Sequence, residues 1–128
     1  MKTKHSKQRE AIKSFLVTRT DHPTADIVYM NIRKKYPNIS LGTVYRNLTL
    51  LSDIGEIVRL RVGEGVDHFD ANTNPHYHFV CNNCCRVIDL DIKETTIFNK
   101  LNIVANENFD GKIDNHYTYF YGKCKDCL

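Results

Sequence analysis

The sequence has no run approaching the roughly 18 apolar residues that a membrane helix requires. Its first ten residues, Met1 to Glu10, are charged and hold no apolar h-region, so no secretory signal is expected. The expected location is therefore cytoplasmic, with no membrane partner. No internal repeat and no low-complexity stretch is present. A Gly-rich phosphate loop is missing, as is any nucleophile–base pair, and both absences speak against an enzyme. What remains is a chain of 128 residues, enough for one ordinary domain or two very small ones. At 41% hydrophobic content it is not a disordered chain and has enough for a modest core.

The net charge of +3 conceals an asymmetry. Residues 1–62 hold twelve Lys/Arg against five Asp/Glu, whereas residues 63–128 hold six against ten. Arg33, Lys34, Lys35 and Arg46 follow one another with no acid between them. A basic half joined to an acidic half suggests a polyanion-binding module fused to something else, although an ordinary solvated surface would read the same.

Apolar spacing predicts a helix over 6–19, capped by Ser6, with Ala11, Ile12, Phe15 and Leu16 on one face. It should stop before Asp21-His22-Pro23, since a residue preceding proline is pushed out of the α region. Thr24 caps a second helix carrying Ala25, Val28, Tyr29, Ile32 and Tyr36, ended by Pro37-Asn38. Ser40 caps a third, with Leu41, Val44, Leu48 and Leu51 as its buried stripe and Gly55 as its stop. The opposite face shows Thr43, Arg46, Asn47 and Leu50, with Tyr45 at the edge. Two strands follow, Val58 to Val62 with outward Arg59 and Arg61, then Val66 to Phe69 after a turn at Gly63-Glu64-Gly65.

Three short helices and a hairpin make a winged helix-turn-helix pattern. Thr43, Tyr45, Arg46 and Asn47 are the candidate groups for phosphates and base edges in a major groove, and Arg59 and Arg61 for an adjacent backbone. Double-stranded DNA is the expected partner. Three-helix units with a polar face also occur without DNA.

From Asn72 the texture changes. Strands are expected at His76–Val80 and Arg86–Asp91, a helix at Lys93–Asn106 with Ile97, Leu101, Val104 and Ala105 on one side, and a strand at Ile113–Tyr121. In that last strand Tyr117, Tyr119 and Tyr121 would share a face. The fold class is thus α+β: a winged helix-turn-helix domain over 1–70 and a small α/β domain over 71–128.

Cys81-x-x-Cys84 and Cys124-x-x-Cys127, 39 residues apart, have the spacing of two knuckles that complete one S4 zinc site. Four thiolates leave no open position, so this Zn(2+) would be structural. Redox dithiols or unrelated buried cysteines are the alternative. Cys85 is the odd cysteine, read as an inert small hydrophobe.

His76 and His78 point to one face of their strand, and Asp89 has the parity to stand near His78 across the turn. Asp70 lies at the end of the wing and His22 in the loop entering the second helix. This nitrogen–oxygen set suits Fe(II), Mn(II) or Zn(II), and its carboxylates favour the harder metals. Its alternative is a chance His-x-His pair with His22 as a surface residue.

These residues resemble the ferric uptake regulator family of metal-dependent repressors over essentially the whole chain. The matching pieces are His22-Pro23-Thr24-Ala25, Thr43-Val44-Tyr45-Arg46-Asn47-Leu48, His76-Tyr77-His78-Phe79-Val80-Cys81-x-x-Cys84, Val87-Ile88-Asp89-Leu90 and Tyr121-Gly122-x-Cys124-x-x-Cys127. The resemblance implies a homodimer paired through the C-terminal unit, with each winged helix entering DNA. Asp89 is similar to the peroxide-sensing branch, where iron-uptake repressors usually place Glu.

His22, Asp70, His76, His78 and Asp89 would then hold Fe(2+) or Mn(2+), and His22 or His76 would be oxidised when hydrogen peroxide arrives as the signal. An iron- or zinc-uptake repressor of the same fold, or a non-haem metalloenzyme, is the competing function. A second family site looks absent, because Pro75 and Tyr77 stand where it uses His and Asp; His116 would be left structural or vestigial. Cys85 stands where the family usually has Gly, and the N-terminal arm is shorter than in many members.

Overall fold

The computed structural model describes residues 3–62, 65–94 and 96–128. It divides into two compact units, Met1–Asn74 and Pro75–Leu128.

In the first unit, α1 (Lys4–Val17), α2 (Ala25–Ile32) and α3 (Leu41–Asp53) precede a hairpin of β1 (Val58–Arg61) and β2 (Asp67–Asp70). Helix α1 starts earlier than its apolar spacing suggests. Thr3, not Ser6, is the cap, and its hydroxyl accepts from the Ser6 amide. The stop before Pro23 holds. Thr24 and Ser40 cap α2 and α3 as expected, each accepting from the amide three residues on. Helix α2 ends at Ile32, short of the proline, because residues 33–35 tighten into turns.

Ile12, Leu16, Val28, Val44, Leu48, Leu51 and Phe69 form one buried cluster. Leu41, expected in that stripe, is 42% exposed at the first position of α3. Gly55 terminates the segment at φ 80, a backbone region that only glycine enters without cost. The antiparallel register pairs Val58 with Asp70 and Arg61 with Asp67. Of the expected turn Gly63-Glu64-Gly65, the first two residues lie outside the described residues.

The second unit is a three-stranded sheet in the order β4-β3-β5, with β3 (Tyr77–Cys81), β4 (Val87–Leu90) and β5 (Tyr119–Gly122), together with α4 (Ile97–Asn106). Strands β3 and β4 run antiparallel, and β5 is parallel to β3. The central strand is buried at Tyr77, His78, Val80 and Cys81, so its two faces are both covered.

Two expectations are corrected here. The last strand spans four residues instead of nine, and Tyr117 lies outside it at 69% exposure. Helix α4 buries none of its residues, with Ile97, Leu101 and Val104 all close to half exposed. That side therefore lies half open, while Phe98 of the same helix packs against Tyr77 with ring centres 5.9 Å apart. No helix among the described residues is long and apolar enough to cross a membrane.

Candidate metal centres and nucleic-acid surface

The chemistry of the second unit begins with its sulfurs. The turn after β3 carries Cys84, and the turn after β5 carries Cys124 and Cys127. The parallel β3–β5 pairing, in which Cys81 aligns with Gly122, draws the two knuckles together. The Asn82 amide donates to the Gly122 carbonyl at 2.7 Å and locks the junction.

One sulfur from each of Cys81, Cys84, Cys124 and Cys127 lies within 4.8 Å of the others, and Cys84 Sγ is 3.8 Å from Cys124 Sγ. Sulfurs about 2.3 Å from a tetrahedral zinc stand roughly 3.8 Å apart. The four residues fit Zn(2+), and they leave no open position for chemistry. The amides of Cys84 and Cys124 donate to Cys81 Sγ, and with Asn83 they hold that thiol down at about 5. Cys127 takes a hydrogen bond from Asn83, but its thiol neighbours and burial outweigh it and push the group up to about 11. Four crowded thiols cannot all ionise without a cation among them.

Cys85 is exposed and adopts φ 62. A β-carbon is penalised there, and a glycine would not be. The fifth cysteine lies outside the sulfur cluster.

The same sheet builds a nitrogen–oxygen cluster. His78 pairs directly with Asp89 across the β3–β4 ladder. Asp89 Oδ1 lies 3.1 Å from His76 Nε2 and 3.2 Å from His78 Nε2. The two imidazoles stand 4.4 Å apart, and the Tyr119 ring backs His78 at 6.1 Å. His76 precedes β3 by one residue, yet its ring reaches the same carboxylate as His78. Two imidazole nitrogens converging on one carboxylate is a donor set suited to a divalent first-row metal. His116 takes no part: its Nδ1 lies 2.6 Å from Asn102 Oδ1 and its ring stacks on Phe98 at 4.1 Å.

The remaining two candidates belong to the first unit. His22 is 1% exposed and held at φ 50, a strained conformation for a residue before proline. Its carbonyl meets His68 Nδ1 at 2.8 Å, and the neighbouring Pro23 carbonyl accepts from the Phe69 amide. Nδ1 of His22 lies 3.5 Å from Asp70 Oδ2, while Asp70 Oδ1 accepts from the Asn72 amide at 2.9 Å. His22 is therefore no surface residue; β2 pins it in place.

On α3, Thr43 is half-buried, while Tyr45 and Arg46 are exposed, as is Arg61 on the wing. Two expected surface residues are corrected. Asn47 is 7% exposed: its amide donates to the Thr43 carbonyl at 3.1 Å and its oxygen accepts from Arg9 Nε at 3.3 Å. It ties α3 to α1 from the inside. The Arg59 side chain is 16% exposed and donates to Thr49 Oγ1 at 2.6 Å, because α3 covers the hairpin face that strand alternation assigns to solvent. No signal in the sequence distinguishes these two from Arg46 and Arg61. The i, i+4 pair Tyr45 and Thr49 is the nearest hint for Arg59.

The ferric uptake regulator family profile matches residues 1–121. The chain belongs to that family. The peroxide-responsive repressor PerR of Staphylococcus aureus strain USA300 is 36% identical over 120 residues, covering 94% of this chain and 79% of the relative. Among solved structures, the Campylobacter jejuni peroxide stress regulator aligns at TM-score 0.83 and 30% identity, over 97% of this chain and 91% of its own. The Helicobacter pylori ferric uptake regulator Fur aligns at TM-score 0.80 and 29% identity, over 99% and 82%. As a Fur-family metalloregulator the chain is a transcriptional regulator and not an enzyme, so the metalloenzyme alternative falls.

Proposed function

We propose that this chain is a metal-dependent, DNA-binding transcriptional repressor that senses hydrogen peroxide. The carrying observation is the carboxylate of Asp89 shared by His76 and His78. In this reading His22 and Asp70 complete the ligand set of one regulatory Fe(2+) or Mn(2+), and Cys81, Cys84, Cys124 and Cys127 hold structural Zn(2+). The similarity to repressors named for their peroxide response supports the choice of signal.

Residues 1–70 act as the DNA-binding domain and 71–128 as the dimerisation and metal-binding domain of a cytoplasmic homodimer. Thr43, Tyr45, Arg46 and Arg61 meet the duplex. The exposed apolar side of α4, with Ile97 at 45%, Leu101 at 46% and Val104 at 49%, supports pairing with a second copy, since monomers rarely leave such patches open. The ligand residues act by choosing a conformation. Metal held by the proposed ligand set would favour one spacing of the two α3 helices of the homodimer, and half-sites on DNA accept only a spacing near whole helical turns.

Iron held there would supply the redox chemistry that lets hydrogen peroxide react beside a ligand imidazole. One peroxide oxygen would enter the ring of His22 or His76, oxidising it by two electrons, and the other would leave as water. The oxidised ring would be a poor ligand, and DNA would be released. Mn(2+) sustains repression.

Intact-mass analysis of the iron form after peroxide treatment tests this. A gain of one oxygen at His22 or His76, with loss of DNA binding, is expected, and the Mn(2+) form gains none. Metal-dependent DNA binding with no oxygen gained would instead assign an iron- or zinc-uptake repressor.

A further inference from the structure

The Arg59 guanidinium occupies a junction of three elements. Its Nη2 donates to Thr49 Oγ1 on α3 at 2.6 Å, and its Nε faces Asp67 Oδ2 on β2 at 3.5 Å. Its central carbon lies 5.7 Å from the Tyr45 ring on α3 and 5.7 Å from the Phe69 ring on β2. Tyr45 and Thr49 are one helical turn apart, and Asp67 and Phe69 share one side of their strand, so a single planar group meets two residues from each. The cation is thus largely spent inside the protein. Tyr45 remains 44% exposed.

We propose that Arg59 is a positioning residue for DNA reading: it fastens the Tyr45 ring and helix α3 to the wing and makes no contact with the duplex itself. This rests on the DNA-binding reading above. A guanidinium lying over a ring on α3, hydrogen-bonded to that helix and ion-paired to β2, holds α3 against the hairpin and restrains the Tyr45 ring. An ammonium, a point charge on a flexible stem, reproduces neither.

The test uses Mn(2+)-loaded full-length protein and the duplex that the wild type enriches from a randomised pool, beside a scrambled duplex of equal length. Each phosphate contact contributes about 0.9 to the slope of log K against log salt. For a positioning residue, Arg59→Ala and Arg59→Lys both lower the preference for the enriched duplex by about tenfold or more with the salt slope unchanged. Lysine gives no rescue despite its charge.

Thr49→Val keeps the side-chain shape, removes the hydroxyl that accepts from Arg59, and reads the junction even where Arg59→Ala melts. It lowers the preference in the same direction. A salt slope reduced by about 0.9 in Arg59→Ala, with Thr49→Val binding like wild type, would make Arg59 a phosphate contact and overturn the proposal. Wild-type binding in all three variants would overturn it equally. If the wild type enriches no duplex, the DNA-reading function fails first and this role fails with it.

Discussion

Asp89 faces His78 across the β3–β4 ladder, and its Oδ1 lies 3.2 Å from His78 Nε2 and 3.1 Å from His76 Nε2. Removing that carboxylate leaves two imidazoles without the anion that gathers them. Asp89→Ala should weaken Mn(2+) binding by more than the roughly 10–100-fold typical of losing a residue that merely supports a ligand. Zinc per chain should not change. Equilibrium dialysis with elemental analysis reads both, and Mn(2+) affinity equal to wild type would remove Asp89 from the site.

Asp89→Glu lengthens the side chain by one methylene while keeping the charge. We expect Mn(2+)-dependent DNA binding to persist and the oxygen gained by the iron form to fall severalfold. Undiminished oxidation would show that the aspartate at this position does not determine peroxide sensitivity.

Loss of a zinc thiolate should act on the whole second unit. That unit has a thin core, and structural zinc sites carry apparent binding free energies of about 10–16 kcal/mol, comparable to the entire stability of a domain. Cys124→Ala should abolish bound zinc and the dimer. A zinc-free variant that remains dimeric by sedimentation would refute the structural role.

Cys85 is held at φ 62, where an L-residue pays about 1–2 kcal/mol and glycine does not. Cys85→Gly should therefore raise stability by about 1 kcal/mol in urea unfolding of the zinc-loaded protein. Cys85→Ala keeps the β-carbon and should show no such gain. Equal behaviour of the two would mean that the turn is not strained.

Neighbouring residues of α3 should separate cleanly. Asn47 is buried and bonded to Thr43 and Arg9, so Asn47→Ala should cost about 1–3 kcal/mol of stability through the partners it strands. Arg46 is exposed on the same helix. Arg46→Ala should leave melting unchanged and reduce the salt slope of DNA binding by about 0.9. The reverse pattern would exchange their roles.

Most of the helices and strands were legible because they rest on local chemistry, the cap of α1 and the extent of the last strand being the exceptions. Thr24 and Ser40 cap the helices that follow them whatever the distant chain does, and two-residue alternation puts Asp89 opposite His78 once a short turn joins the strands. The cysteine spacing was equally legible, since two knuckles with one metal preference need no knowledge of the path between them. Tertiary structure alone decided where α3 lies against the hairpin, and hence that Asn47 and Arg59 are spent inside while Arg46 and Arg61 remain outside. It alone put His22 in a buried left-handed conformation and left Ile97, Leu101 and Val104 of α4 about half exposed. Capping and periodicity are interactions over a few residues, whereas burial is a sum over neighbours brought from far along the chain, and no spacing rule contains that sum.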